Sequence, residues 1–133
     1  MAYRWGEHVG ELELAVEAET EDAVFGDAVR AFGELLADED GATGEPRHYA
    51  LAVTGSDRAA LLAALLDELI FLAETEGFVP QALDELRVGD GSLEATVSGH
   101  EGEPPHLVKA VTHHRLRFDP APGGFTATVV LDV

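Results

Sequence analysis

The segment that most constrains the fold is the end of the sequence, residues 107–133, LVKAVTHHRLRFDPAPGGFTATVVLDV. It predicts two β-strands joined by a Pro/Gly turn, because residues alternate in polarity on either side of that turn. A solvated tail would not end in Val-Val-Leu-Asp-Val, so we expect these residues to pair within a sheet. The α-carboxylate of Val133 is then expected at a fixed place beside the carboxylate of Asp132. Strict alternation in the first strand would put Lys109, Val111, His113, Arg115 and Arg117 on one face, opposite Ala110, Thr112, His114, Leu116 and Phe118.

Shorter periodic patterns predict the elements that precede this segment. Apolar residues at every second position predict strands at 11–18 and 47–54, and helical spacing predicts helices at about 21–37 and 58–74. The first helix is predicted to begin at Thr20 or Glu21. Ser56-Asp57 is predicted to cap the start of the second helix, and Gly77 is predicted to follow its last turn.

Turn residues divide the rest of the chain. Gly89-Asp90-Gly91 favours a hairpin between strands at 82–88 and 92–98, although a helical start at Gln81 competes with it. The Gly/Pro-bearing stretches 37–46 and 99–106 are predicted to be loops.

The order of these elements is strand, helix, strand, helix and then four strands. Such an order predicts the α+β class, as a two-layer sandwich in which a mixed β-sheet has the two helices packed on one face. The length of 133 residues suits a single domain, residues 1–133, with one core.

The charge balance restricts the kinds of partner. The chain has 26 acidic and 8 basic residues, a formal net charge of −18 at pH 7. Such a surface repels phosphate backbones, so no direct nucleic-acid binding is expected. Solubility or adaptation to salt explains the acidity, and docking to a basic partner is the alternative. No apolar run reaches spanning length and no signal peptide is recognisable, so we expect no membrane contact and a cytoplasmic location.

The residue types also exclude several kinds of catalysis. The sequence has no Cys, which excludes disulfides and thiolate chemistry. His113 and His114 are neighbours in a predicted strand and point to opposite faces, which does not favour a shared metal ion. No hydrolase, nucleotide-binding or zinc-protease motif is present, so we do not expect an autonomous enzyme. A small-molecule enzyme using His114 with Glu74 or Glu76 is an alternative that requires a pocket joining these groups.

A group of carboxylates is the better candidate for a functional site. Glu11 and Asp132 lie on the polar faces of their strands, and they converge with the Val133 α-carboxylate if these strands are neighbours. Unit charges roughly 4 Å apart repel by about 4 kcal/mol at an effective dielectric near 20, and a cation would remove this cost. Oxygen ligands without sulfur favour a hard ion, Ca²⁺ before Mg²⁺. Separately solvated acidic side chains are the alternative interpretation.

Four segments carry a more specific pattern. They are EHVGE at 7–11, LLDELIFLAETEGFV at 65–79, VKAVTHH at 108–114 and VLDV at 130–133. They resemble the D-H-T-A-D motif, the leucine-rich helix, the K-A-V-T-Y-H strand and the apolar-Asp-apolar ending of the archease family. His113 stands in place of the motif Tyr, and Glu stands at both acidic positions of the first motif.

The resemblance implies a function as well as a fold. Archeases are accessory proteins that activate the RtcB-type tRNA-splicing ligase by promoting its guanylylation and its multiple turnover. By the resemblance, the metal ligands here are Glu11, Asp132 and the carboxylate of Val133, with Ca²⁺ or another divalent cation as the metal. Lys109 and His114 match motif positions and are possible contacts with the ligase. The alternative function is a calcium-binding, chaperone-like module for another nucleic-acid-processing enzyme.

Overall fold

The computed structural model describes residues 2–37, 44–103 and 108–133. They form seven strands and two helices. In chain order these are β1 (Ala2–His8), β2 (Glu11–Ala18), α1 (Glu21–Leu36), β3 (Pro46–Thr54), α2 (Arg58–Glu76), β4 (Phe78–Gly89), β5 (Ser92–Glu101), β6 (Ala110–Ala121) and β7 (Gly124–Asp132). Within this part of the chain, neither helix is long and apolar enough to cross a membrane.

The strands form two sheets, one of four strands in the order β1-β2-β7-β6 and one of three in the order β3-β5-β4. The predicted α+β class with two helices is confirmed. The expectation of one mixed sheet is corrected, because every pairing among the described strands is antiparallel. Helix α2 joins β3 to β4, which run in the same direction. However, β5 lies between these two strands and pairs antiparallel with both.

The helices connect the two sheets through a shared core. Helix α1 contacts β1, β2 and β7 of the larger sheet and β4 of the smaller one, and α2 contacts β6 as well as β3, β4 and β5. One hydrophobic cluster therefore includes residues of both sheets and both helices. Burial of each large aliphatic or aromatic side chain contributes roughly 1.5–3 kcal/mol. Its largest fully buried members include Phe25, Phe32, Phe78, Leu14, Leu61, Leu65 and Leu69.

Both helices begin and end where local chemistry favours it. The Thr20 hydroxyl accepts a hydrogen bond from the amide of Ala23 at 3.1 Å, and the Asp57 carboxylate accepts one from Ala60 at 2.8 Å. Each satisfies an amide that the first helical turn leaves unpaired. At the end of α2, Gly77 adopts a φ of 64°, a left-handed conformation that Gly reaches without steric cost.

The structure departs from the sequence predictions at both a new strand and a longer one. Residues 2–8 form an edge strand that had not been predicted, and β5 continues to Glu101 through residues that were predicted to be a loop. The hairpin at Gly89–Gly91 is confirmed, and the competing helical start at Gln81 is wrong because β4 includes it. The predicted loop residues 38–43 and 104–106, and the predicted strand start at 107, lie outside the described residues.

Strand β6 contains the largest departure from simple alternation. Four residues, His113 to Leu116, lie between the register positions of Thr112 and Arg117 and face only Val129 of β7. A bulge of this kind reverses the faces of the residues that follow it. Val111, Leu116 and Phe118 therefore all pack against the core, whereas the sequence had predicted Val111 on the opposite face from the other two.

Candidate functional site

The two predicted side-chain ligands lie directly opposite each other. Strands β2 and β7 pair antiparallel with Glu11 as the Cα partner of Asp132. Cross-strand partners project from the same face of a sheet, so both carboxylates project from one face at the end of this ladder. Both side chains are partly exposed to solvent.

Main-chain hydrogen bonds hold the last residues on both sides. The amide of Val133 donates to the carbonyl of Gly10 at 3.0 Å, and the amide of Lys109 donates to the carbonyl of Asp132 at 2.8 Å. Gly10 has a φ of 75° in the turn that joins β1 to β2. Residues 130–133 are therefore fixed between β2 and β6, and the three predicted ligands lie at the same end of the larger sheet.

A guanidinium group faces the acidic side chains of β2. Arg115 Nε lies 3.3 Å from a carboxylate oxygen of Glu13, and Arg115 Nη2 lies 3.6 Å from one of Glu11. Glu13 and Arg115 were not among the predicted site residues. The alternation of β2 could have indicated Glu13, since it lies two residues after Glu11 on the same face. No sequence signal indicated Arg115, because its position depends on the bulge in β6.

The donor set suits a hard cation. Glu11, Asp132 and a chain-end carboxylate at Val133 offer only oxygen atoms, which Ca²⁺ and Mg²⁺ prefer. Within residues 2–37, 44–103 and 108–133, no three His, Asp or Glu side chains are grouped as metal ligands. A cation at this position would therefore depend on two side chains, on the main-chain carboxylate and on water for its remaining ligands.

Of the two possible partner contacts, Lys109 lies beside this group and His114 precedes Arg115 in the β6 bulge. Lys109 and His114 are both exposed, and Lys109 is bonded through its main chain to Asp132. His114 belongs to the β6 bulge, where its amide donates to the Thr112 hydroxyl at 3.3 Å. Both side chains are therefore accessible to another molecule that approaches this end of the sheet.

A buried histidine and two surface depressions bear on the alternative of a small-molecule enzyme. His100 is buried, and its Nδ1 lies 2.7 Å from the carbonyl oxygen of Glu101. One surface depression lies on β3, β4 and β5, and another lies at the β6–β7 turn. Neither is lined by His114, Glu74 or Glu76, which the alternative of a small-molecule enzyme would bring together.

The fold and the paired carboxylates define a class of small α+β proteins with two antiparallel sheets, two helices and an Asp at the end of the last strand. The sequence matches the profile of the Archease protein family (MTH1598/TM1083) over residues 3–133. The chain therefore belongs to the archease family, as the resemblance of its motifs had indicated.

Individual relatives agree with this assignment along the whole chain. The archease of Methanosarcina mazei is 30% identical over 140 residues, which cover 98% of this chain and 95% of that protein. The archease of Archaeoglobus fulgidus is 29% identical over 139 residues and 100% of both chains. A probable archease of Mycobacterium tuberculosis is 32% identical over 131 residues, which cover 95% of this chain and 72% of that protein.

Solved structures agree with the fold. The solution structure of protein 1598 from Methanobacterium thermoautotrophicum matches with a TM-score of 0.70 and 25% identity, and the match covers 98% of each chain. The crystal structure of an archease from Thermotoga maritima, described as a possible chaperone, matches with a TM-score of 0.65. It covers 96% of this chain and 94% of that one, and its 16% identity supports the likeness of fold alone.

Proposed function

We propose that the protein is an accessory factor of an RtcB-type RNA ligase and acts in the cytoplasm. It would promote guanylylation of the ligase and its multiple turnover in tRNA splicing or RNA repair, without joining RNA itself. Membership of the archease family supports an accessory, chaperone-like role of this kind. The observation that carries the proposal is that Glu11 lies directly opposite Asp132, where main-chain hydrogen bonds fix the end of the chain.

The proposal includes a divalent cation, Ca²⁺ or a similar hard ion. Glu11, Asp132 and the α-carboxylate of Val133 would hold it, and when bound it would neutralise charge where β2 meets β7. The chain's own contribution is to keep these groups in place. The register of β2 with β7 sets the separation of the two side chains, and the bond from Val133 to Gly10 fixes the chain end.

The surface charge supports contact with the ligase instead of with RNA. An RNA ligase must present basic groups to the phosphate backbone, and a protein with a formal net charge of −18 is complementary to such groups. Lys109 and His114, both exposed, are the proposed contacts. The exposed Lys109 adds a local positive group, which would give the contact a defined orientation.

The test is a ligation assay with a cognate RtcB-type ligase, GTP and a broken tRNA at limiting ligase. The added protein should raise the number of turnovers per ligase, and it should show neither ligation nor nucleotide hydrolysis alone. Prior removal of divalent ions from this protein by a chelator should lower the stimulation. Folded, metal-loaded protein that leaves the turnover unchanged would contradict the proposal. Asp84→Asn, at an exposed site on β4, is a charge-matched control for Asp132→Asn.

A second candidate is a chaperone-like module for a different nucleic-acid-processing enzyme. The description of the Thermotoga maritima archease as a possible chaperone favours it. Affinity purification from source cells distinguishes the two functions by the identity of the enriched enzyme. Recovery of the ligase with wild-type protein, and its loss with Lys109→Ala, would favour the first function.

A further inference from the structure

Arg115 has an uncommon backbone conformation for its residue type. Its φ is 57°, the only positive value among the described residues other than Gly. In this left-handed region the Cβ crowds the following carbonyl oxygen, so a residue with a long side chain rarely adopts it. The surrounding structure therefore has to hold this conformation, and the side-chain contacts of Arg115 are part of it.

Those contacts lie two strands away. Arg115 belongs to β6, at the edge of the larger sheet, and its ion-pair partners Glu11 and Glu13 belong to β2. Because β7 lies between these strands, the side chain crosses over β7 to reach them. At that level β7 presents Val130, which pairs with Thr112 on one side and Glu13 on the other.

The burial of Val130 is consistent with this crossing. Val129 and Leu131 belong to the core cluster, so Val130 faces the opposite side of the sheet. It is nevertheless completely buried, with 0% of its surface exposed. Thr112 of β6 flanks Val130 on this face, and the Arg115 side chain, which reaches across β7 to Glu11 and Glu13, is positioned to help cover it.

The same carboxylate thus has two uses. Glu11 pairs with the Arg115 guanidinium, and it also faces Asp132 as a proposed cation ligand. A divalent ion at the carboxylates and a guanidinium close to Glu11 repel each other. Glu13, the partner at the shorter distance, is not a proposed ligand and can keep the guanidinium alone.

We propose that Arg115 is an internal cation that competes with the divalent ion for Glu11 and so sets the affinity of the site. Without metal, Arg115 bridges Glu11 and Glu13. When metal binds, Glu11 turns to Asp132 and Arg115 stays with Glu13 alone. This role rests on the cation site of the proposed function.

The competition also connects the site to the bulge. Loss of one of its two ion pairs weakens the contact that holds Arg115 in the left-handed region. The bulge carries His114, one of the proposed partner contacts. Occupation of the site would therefore loosen the backbone of residues 113–116, and hydrogen exchange of their amides should become faster when Ca²⁺ is added.

Calorimetric titration with Ca²⁺ tests the proposal. Arg115→Gln removes the charge, and Arg115→Asn removes it while suiting a positive φ. Both variants should bind Ca²⁺ about tenfold more tightly than wild type, since a like charge near the ion is lost. Arg117→Gln is the matched control, because Arg117 lies on the same strand but pairs with Asp119. It should bind as wild type does.

Glu13→Gln distinguishes competition from a general effect of charge. In the wild-type background it should weaken Ca²⁺ binding, because Arg115 then pairs with Glu11 alone. In the Arg115→Gln background the effect should be smaller. Equal effects in both backgrounds, or unchanged binding by both Arg115 variants, would overturn the role of Arg115 while leaving the site intact. If neither wild type nor the Arg115 variants bind Ca²⁺, the proposed cation site itself is wrong.

Discussion

Glu11 and Asp132, near opposite ends of the sequence, are cross-strand partners in the pairing of β2 with β7. Both strands are internal in the larger sheet, so each register is held from two sides. His8 of β1 is the partner of Glu11, and Ala110 of β6 is the partner of Asp132. A slip by one residue would turn the apolar side chains of these strands away from the core. The same packing that buries Leu14 therefore also fixes the opposition of the two carboxylates.

A first prediction concerns the side-chain ligand on β7. Asp132→Asn replaces a carboxylate by a neutral amide of the same shape, so Ca²⁺ affinity should fall about tenfold or more while the fold is kept. Calorimetric titration measures the affinity, and thermal unfolding without metal checks the fold. Asp84→Asn removes the same charge on β4 and should leave the affinity close to that of wild type. Equal affinities for both variants would remove Asp132 from the site.

A second prediction concerns the end of the chain. Extension beyond Val133 turns its α-carboxylate into a peptide carbonyl and so removes one negative ligand. We expect a C-terminal tag to weaken Ca²⁺ binding by about tenfold, and the same tag at the N-terminus to have a smaller effect. Once the tags have been removed without residual residues, titration of both forms should give one common affinity. If the C-terminally tagged protein binds as the untagged protein does, Val133 does not contribute.

Features that depend on local chemistry could be predicted from the sequence. The cap residues Thr20 and Asp57, the left-handed Gly77 and the hairpin at Gly89–Gly91 each follow from a few neighbouring residues. The opposition of Glu11 and Asp132 needed one further step, the assumption that the first and last predicted strands are neighbours. That assumption is confirmed by the pairing of β2 with β7.

Features that depend on distant packing could not be predicted in this way. The extra residues of the β6 bulge face a partner strand that the sequence of β6 does not specify. Likewise, β5 continues past Gly99 because β4 passes very close. A Cβ at this position would lie 2.0 Å from the carbonyl oxygen of Val79. The strand β1 offered a weak signal, since Tyr3 and Trp5 alternate and both pack against the core.

A third prediction uses two Gly residues of the same helix. A Cβ at Gly33 would lie 1.9 Å from the carbonyl oxygen of Pro80, where α1 packs against β4, whereas one at Gly26 would meet nothing within 4 Å. Gly33→Ala should therefore lower the free energy of unfolding by about 1–3 kcal/mol, because the added methyl group forces the helix and the strand apart. Gly26→Ala should raise it by about 0.5–1 kcal/mol, since Ala favours a helix interior. Urea unfolding measures both, and stabilisation of equal size in the two variants would show that helix propensity, not the contact with Pro80, decides.

A fourth prediction concerns the attachment of β1 to α1. The Tyr3 hydroxyl donates a hydrogen bond to the Glu34 carboxylate. This bond, together with burial and the nearby negative charge of Glu34, raises the pKa of Tyr3 from 10.0 to about 12. Tyr3→Phe should lower the free energy of unfolding at pH 7 by about 1 kcal/mol, the usual contribution of such a bond.

The pH dependence of that bond follows from the raised pKa. Its stabilisation is fully present below pH 10 and is lost as the pH rises through about 12. A double-mutant cycle with Glu34→Gln, measured by urea unfolding at pH 7, isolates the pair. Additive effects of the two substitutions would mean that the bond contributes nothing.

A fifth prediction concerns Asp27, whose carboxyl lies buried in α1 with 2% of its surface exposed. One of its oxygens, Oδ2, has no hydrogen-bond partner among the described residues, and the other lies 3.8 Å from the guanidinium of Arg30. Burial raises the pKa of Asp27 above its ordinary value of 3.8, although the charge of Arg30 opposes the shift. The folded protein thus holds this proton more tightly than the unfolded chain does.

The sign of the effect on stability follows from that difference. The contribution of Asp27 is fully present below pH 3.8 and is lost as the pH rises through the raised pKa of the folded state. Asp27→Asn cannot ionise, so the free energy of unfolding of the variant minus that of wild type should increase as the pH rises from about 4 to 8. Urea unfolding at a series of pH values measures this difference, in which the other carboxylates cancel. Asp84→Asn, at an exposed position, is the control variant. A difference that stays constant for Asp27→Asn would mean that its carboxyl titrates alike in the folded and unfolded protein.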